Sequence, residues 1–184
     1  MKNLAASIAV AAVCAAGLTA PAFAQGKPGA NTIWQIVQSS PDHNLLEIAI
    51  DAAQLGGALD NPEVRYTLFA PTDAAFEKVA DELYAAGIGD GTFLGLAKFL
   101  IDNELLDDVL FYHLTEGRRY ANSVVPRKGE KAIPTLLGTD FAAKVGNLLM
   151  DASAATTDAM VTIPNISASN GVVHVIDNVL VPLN

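Results

Sequence analysis

Three histidines, His43, His113 and His174, together with Ser167 and Ser169, are the side chains best suited to acid–base, nucleophilic or metal chemistry in this sequence. A zinc site needs two or three such ligands on one face of an element. His174 and Asp177 stand three apart in a stretch that reads as a strand, so they point to opposite faces. The sequence contains neither a paired-histidine helix motif nor a calcium-loop pattern, so no metal and no cofactor is expected. A serine nucleophile would need an elbow such as Gly-x-Ser-x-Gly and a base within reach. Ser167 and Ser169 lie in Ser-Ala-Ser-Asn-Gly, which reads as a turn ahead of a strand. Residues 87–95 hold four glycines in nine positions, yet they follow a helix and lack Lys-Ser/Thr, so they read as a connection rather than a phosphate loop. No catalytic residue is assigned, and the chain reads as a non-enzyme.

The element that must position His174 is the stretch 170–182, Asn-Gly-Val-Val-His-Val-Ile-Asp-Asn-Val-Leu-Val-Pro. It is almost unbroken Val, Ile and Leu, opened by Asn-Gly and closed by proline, and reads as a strand buried on both faces. His174, Asp177 and Asn178 interrupt it. Buried without partners, each would cost about 2 kcal/mol or more, so other parts of the chain must meet them. Thr72, Asp73 and His113 are the expected partners. His113 sits near the middle of an apolar arc of roughly 160° formed by Leu105, Leu106, Val109, Leu110 and Tyr112 at helical spacing, which aims it inward.

Other elements follow from local signals. Residues 32–38 read as a short helix, and Ser40-Pro41-Asp42 reads as the N-cap and first turn of a second helix ending near Gly56-Gly57. Tyr66 to Ala70 is β-rich, Pro71 ends it, and Thr72 and Asp73 are an N-cap and a first-turn acid for the helix carrying Phe76, Val79, Ala80 and Leu83. After Gly117 the helical period is lost. Residues 120–125, 133–137, 141–145, 148–150, 160–163 and 166–168 read as short strands between turns. Helices followed by strands predict an α+β fold with a largely antiparallel sheet system.

Lys2, an apolar run of small residues and Ala22-Phe23-Ala24 have the order of a secretory signal peptide over residues 1–24, cleaved after Ala24. A flexible lead-in over 25–31 and one domain over 32–184 are expected after it. No stretch is long and apolar enough to read as a membrane span. The sole cysteine, Cys14, lies in the part removed, so no disulfide is expected in the mature chain. Twenty acidic side chains against eleven basic ones argue against a nucleic-acid partner.

Three stretches in order carry a family resemblance: residues 66–76, Leu110-Phe111-Tyr112-His113 followed by Gly117-Arg118-Arg119-Tyr120, and residues 171–182. Together they make the chain resemble the fasciclin, or FAS1, domain family. The resemblance implies a wedge of two mainly antiparallel β-sheets with helices packed around it. It also implies a role in adhesion, or in recognition of a protein or cell-surface component outside the cytoplasm. Its tyrosine–histidine region, implicated in adhesion in animal members, corresponds here to Tyr112 and His113. The exported chain is similar to bacterial fasciclin-like proteins of the periplasm or extracellular space, which are associated with surfaces, symbiosis or biofilm. Two other readings stand beside adhesion. A carrier of an apolar small molecule such as a carotenoid or lipid would use Leu136, Leu137, Leu148 and Leu149 as its wall. A hydrolase would need a motif that is not written.

Overall fold

A computed structural model describes residues 29–151 and 153–182. The expected signal peptide and most of the lead-in lie outside them. Strand β7 (Gly171–Ile176) is buried along its whole length, and the chain covers both of its faces. Strand β1 (Tyr66–Pro71) runs parallel to it, Tyr66 against Gly171 and Pro71 against Ile176. On its other side β6 (Ala159–Ser167) runs antiparallel. Adding β2 (Leu114–Glu116), β3 (Glu130–Pro134), β4 (Asp140–Lys144) and β5 (Leu148–Met150) gives the order β2-β1-β7-β6-β5-β4-β3, in which only the β1–β7 pair is parallel.

Strand β6 joins the two sheets of the wedge. Its first residues pair with β5, and the remainder pairs with β7 through register shifts between Val161 and Ile163 and between Ile163 and Ile166. Asn165, at φ 68°, marks the second shift. Bulges of this kind bend a strand and raise its twist, which lets one strand serve two sheets. At the far side the chain after β3 returns to β2, where the Leu136 N–H donates to the Leu114 carbonyl (2.8 Å).

Period-two alternation on these strands divides the interior into two cores. Leu68 and Ala70 of β1 and Val173 of β7 pack with α1 (Ile33–Gln38), α2 (Asn44–Ala52), α3 (Gly56–Asp60), α4 (Asp73–Ala85), α5 (Phe93–Asp102) and α6 (Leu106–Tyr112). Phe69 and Ile176 point the other way, to Ile133, Phe141, Leu149 and Val161 of the second sheet. Helix α7 (Ala121–Val124) contributes Val124 to this second core. The α+β architecture expected from the sequence is the one observed.

The strand–proline–helix junction forms as written, with Thr72 Oγ1 accepting from the Ala75 N–H (3.2 Å) at the start of α4. Five local expectations are corrected. Helix α2 does not start at Ser40-Pro41; it starts at Asn44, because Asp73 from another element caps it, accepting from the Leu45 N–H (2.8 Å) and Asn44 Nδ2 (2.9 Å). It ends at Ala52 through Gln54 in the left-handed region (φ 57°), while Gly56 and Gly57 open α3. Residues 121–124 are helical rather than strand: Asn165 Oδ1 accepts from the Ala121 N–H (2.7 Å), and Val124 is drawn into the second core. The two segments expected at 160–163 and 166–168 are joined in β6. The strand expected over 170–182 stops at Ile176, and the chain bends at Asp177 and Asn178 but stays buried through Val181.

Asn170 and Gly171 fix the start of β7. Asn170, fully buried, accepts from the Ile33 N–H (2.8 Å) and donates to the carbonyls of Leu59 (2.7 Å) and Asn61 (3.0 Å). A Cβ on Gly171 would stand 2.1 Å from the Tyr66 carbonyl oxygen, across the β1–β7 pair. Asn170→Ala is therefore expected to destabilise the protein by about 3 kcal/mol, because two buried backbone groups and a third, part-buried one lose their partner. Asp177→Ala, which removes one bond at a half-buried site, should cost about 1 kcal/mol. Urea denaturation of the two variants side by side tests this order.

Candidate functional site

Of the polar residues of the sequence motifs, His113, His174 and Asn178 are buried and Thr72, Asp73 and Asp177 half-buried, and each meets backbone. His113 caps the C-terminus of α6 and is 1% exposed. Its Nδ1 lies 2.7 Å from the Val109 carbonyl, and its Nε2 lies 3.0 Å from the Leu180 N–H. A carbonyl only accepts and an amide N–H only donates, so His113 is neutral with its proton on Nδ1. His174 is the mirror case. Its Nε2 donates to the Arg119 carbonyl (2.8 Å), and its Nδ1 accepts from the N–H of the bulge residue Asn165 (3.3 Å). Its ring stacks on Phe69 at 5.5 Å, and Phe69 meets Phe141 edge-on at 5.1 Å. The histidine in an otherwise apolar strand thus satisfies the amide that the β6 bulge takes out of the ladder.

Asp177 Oδ1 accepts from the Met160 N–H (2.7 Å). Asn178, fully buried, donates to the Thr157 carbonyl (2.6 Å), Thr157 Oγ1 (3.0 Å) and Glu82 Oε2 (3.2 Å), while its Oδ1 accepts from the Val179 N–H (3.0 Å). Of the partners expected for this set, His113 reaches the closing segment, at Leu180. Thr72 and Asp73 instead serve helix starts, and only the Thr72 N–H touches the strand, at the Ile176 carbonyl (3.3 Å). Tyr112 is fully buried in the second core, edge-on to Phe141 at 5.9 Å, with its hydroxyl 3.4 Å from the Asp140 carbonyl. Neither Tyr112 nor His113 presents its side chain at the surface.

Several polar residues have no local signal in the sequence. Arg118 donates to the carbonyls of Ala168 (2.8 Å), Gly171 (3.2 Å) and Ser169, closing the turn before β7. Asp151 accepts from the Val181 N–H (2.7 Å) and the Ser153 N–H (3.0 Å), and burial pushes its carboxyl above the ordinary value. Ser40 Oγ lies 2.7 Å from His43 Nδ1 on the turn into α2, while His43 Nε2 is buried without a hydrogen-bond partner. No group of three metal-ligating side chains stands together among the described residues, and none of their helices is long and apolar enough to cross a membrane.

The surface feature that does emerge is apolar. Helices α2, α5 and α6 line an apolar groove, with Leu46, Phe76, Val109 and His113 at its buried base and Ile48 and Ile101 at its exposed edges. The leucines considered as a carrier wall are packing residues: Leu149 is fully buried in the second core, Leu137 packs on that core, Leu136 packs on the first, and Leu148 is half-buried.

The sequence model of the Fasciclin domain matches residues 41–182. The chain belongs to the fasciclin family. It is 34% identical over 154 residues to protein sll1483 of Synechocystis, across 83% of this chain and 74% of that one. It is 30% identical over 179 residues to immunogenic protein MPB70 of Mycobacterium bovis, across 91% and 77%. Against the transforming growth factor-beta-induced protein ig-h3 of Sus scrofa it is 28% identical over 152 residues, but spans only 20% of that protein's length. Its fold is similar to the FAS1 domain pair of the insect cell adhesion molecule fasciclin I, with a TM-score of 0.61 at 19% identity over 84% of this chain and 51% of that one. This fasciclin domain therefore has the FAS1 fold, with the motif residues of the family turned inward.

Burial holds His113 down at about 4, only partly opposed by its bond to the Val109 carbonyl, and burial also lowers His43 and His174. The sign follows from linkage. The unfolded chain takes up protons near 6.5 that the folded chain refuses, so stability is full above pH 6.5 and declines as pH falls. For His113 alone the loss should reach about 3 kcal/mol by pH 4. His113→Ala removes this part of the pH dependence but costs about 3 kcal/mol or more at pH 7, through a cavity and two unpaired backbone groups. Urea denaturation from pH 7.5 to 4 for both proteins measures the two effects.

Proposed function

We propose that this fasciclin domain is an exported, non-catalytic recognition module, acting in adhesion or in binding a protein or cell-surface component outside the cytoplasm. One observation carries the reading: both ring nitrogens of His113 and His174 are committed to the chain's own backbone. A general base needs a free nitrogen at a place substrate can reach. The Ser40–His43 contact is the nearest thing to a nucleophile–base pair. Burial lowers the pKa of its imidazole against the opposing pull of Asp73 and Asp42, and no carboxylate is hydrogen-bonded or ion-paired to the ring to orient it as a base. The contact instead locks the turn into α2. Family membership, likeness of fold to an insect cell adhesion molecule and the signal-peptide order of residues 1–24 point the same way.

A second reading, carriage of an apolar small molecule such as a carotenoid or lipid, is favoured by the apolar groove between α2, α5 and α6. Mature protein purified from its native host separates the two. It is expected to be colourless, to release no lipid on extraction, to bring down a protein or surface component from the host envelope, and to leave p-nitrophenyl acetate unhydrolysed. Deletion of the gene should reduce attachment. Normal attachment with no partner recovered, or hydrolysis that Ser40→Ala abolishes while the fold survives, would overturn the reading. Visible absorbance that survives gel filtration would replace it with the carrier.

A further inference from the structure

Helix α5 has a composition that its position does not use. Phe93, Leu94, Leu96, Ala97, Phe99, Leu100 and Ile101 give it an apolar face of roughly 220°, opposite a narrow stripe of Gly95, Lys98 and Asp102, which is wider than a helix with one buried side requires. Only Leu96 and Leu100 of α5 are buried. Leu94 is 77% exposed and Ile101 55%, and across the groove Ile48 of α2 is also 55% exposed. Ile48 and Ile101 thus stand in solvent at the edges of one concave apolar surface, and Leu94 adds a third exposed apolar side chain on the same helix as Ile101. A clustered patch of this kind marks an interaction site, where scattered single residues would not.

The charges around the groove decide what covers it. Helices α2, α5 and α6 and the turn between α5 and α6 carry Glu47, Asp51, Asp102, Glu104, Asp107 and Asp108 against one base, Lys98. That base is already paired with Asp102 at 2.5 Å. The helices that border the groove are therefore strongly acidic, with Asp51 and Asp107 flanking their lining faces at helical spacing, in a chain whose formal net charge is −9. A second copy would bring the same acidic helices against it, and a fatty acid or an anionic lipid surface would be repelled. An enclosed small molecule fits poorly as well, since the groove offers a cavity of only about 60 Å³. The walls are helices of nine and ten residues, about 15 Å long, the length of a three-turn helix laid alongside them.

We propose that the groove between α2, α5 and α6 docks an amphipathic helical segment of a partner protein, with an apolar stripe seated between Ile48 and Ile101 and lysines or arginines facing the acidic side chains of the bordering helices. Helix-in-groove recognition supplies affinity through the apolar anchors, and the charges set orientation and select against other partners. The proposal rests on the reading of this domain as a recognition module and names the face and the partner chemistry.

The probe is a fluorescein-labelled 14-residue peptide of leucine and lysine with leucines at i, i+3, i+4 and i+7 spacing. Its controls are a scrambled peptide of equal composition and a version with glutamate in place of lysine. Fluorescence anisotropy on the mature chain should show the ordered lysine peptide binding at least tenfold tighter than either control. Ile48→Ser/Ile101→Ser changes two exposed positions and no charge, and should reduce binding to the level of the scrambled peptide while the urea midpoint stays near wild type. Asp51→Asn/Asp107→Asn should weaken binding several-fold and flatten its salt dependence. Equal binding of the scrambled peptide, tight binding of the glutamate peptide, or indifference to the isoleucine changes would each overturn the proposal. So would self-association or binding to phosphatidylcholine vesicles that the isoleucine changes abolish. In the attachment assay, a variant that attaches as well as wild type sinks the groove and leaves the recognition reading standing. A wild type that contributes nothing to attachment sinks the reading itself.

Discussion

Burial of β7 on both faces is the constraint from which the rest of this structure follows. A strand of Val, Ile and Gly with no solvent-facing side needs a hydrogen-bonding neighbour at each edge and an apolar layer on each face. Strands β1 and β6 fill the edges, the helices fill one face, and the second sheet fills the other. Two cores separated by one strand give a wedge, and β6 must bend to border both. Its bulge frees an amide inside the protein, and His174 answers it from the adjacent strand.

The same economy explains why so many titratable and polar side chains sit inside without forming a reactive centre. Segment 177–182 leaves the sheet yet stays buried, so its backbone groups cannot rely on a ladder or on water. His113 takes the Leu180 N–H, Asp151 takes the Val181 N–H, and Asn178 ties the bend to Thr157 and Glu82. A neutral imidazole suits such a post because it donates at one nitrogen and accepts at the other. What makes these side chains useful as fasteners, full engagement and exclusion of water, is what removes them from chemistry. The outer helices, by contrast, keep apolar side chains in solvent, Leu94 and Ile101 of α5 and Ile48 of α2.

Local signals carried much of this. The strand, proline and N-cap at 66–73 are contiguous, so the β1–α4 junction could be read off, and the helical spacing of Leu105 to His113 placed His113 inward. The two-sided strand was visible from its composition. What escaped reading depends on residues far apart in sequence. Asp73 displaces Ser40 as the cap of α2 from 28 or more residues away, and Asn170 anchors Ile33 across 137. Residues 120–125 read as a strand through Tyr120, Val124 and Val125, and 121–124 fold as a turn of helix, with Asn165 holding the Ala121 N–H and Val124 in the second core. Of the polar set in 174–178, the need for partners was legible and their identity was not, since backbone amides and carbonyls carry no mark in the sequence. The groove was missed because an apolar helix reads as core until its neighbours are known.

Nitrogen-15 NMR of the imidazole rings tests most directly whether the motif histidines are fasteners rather than reactive groups. In the folded mature protein His113 should be the Nδ1–H tautomer and His174 the Nε2–H tautomer. His113, held down at about 4, should stay neutral as the pH is lowered from 7.5 through 6, and His174 should titrate below its ordinary value. Titration of either ring near its ordinary value of 6.5, or a mixture of tautomers at pH 7, would contradict it.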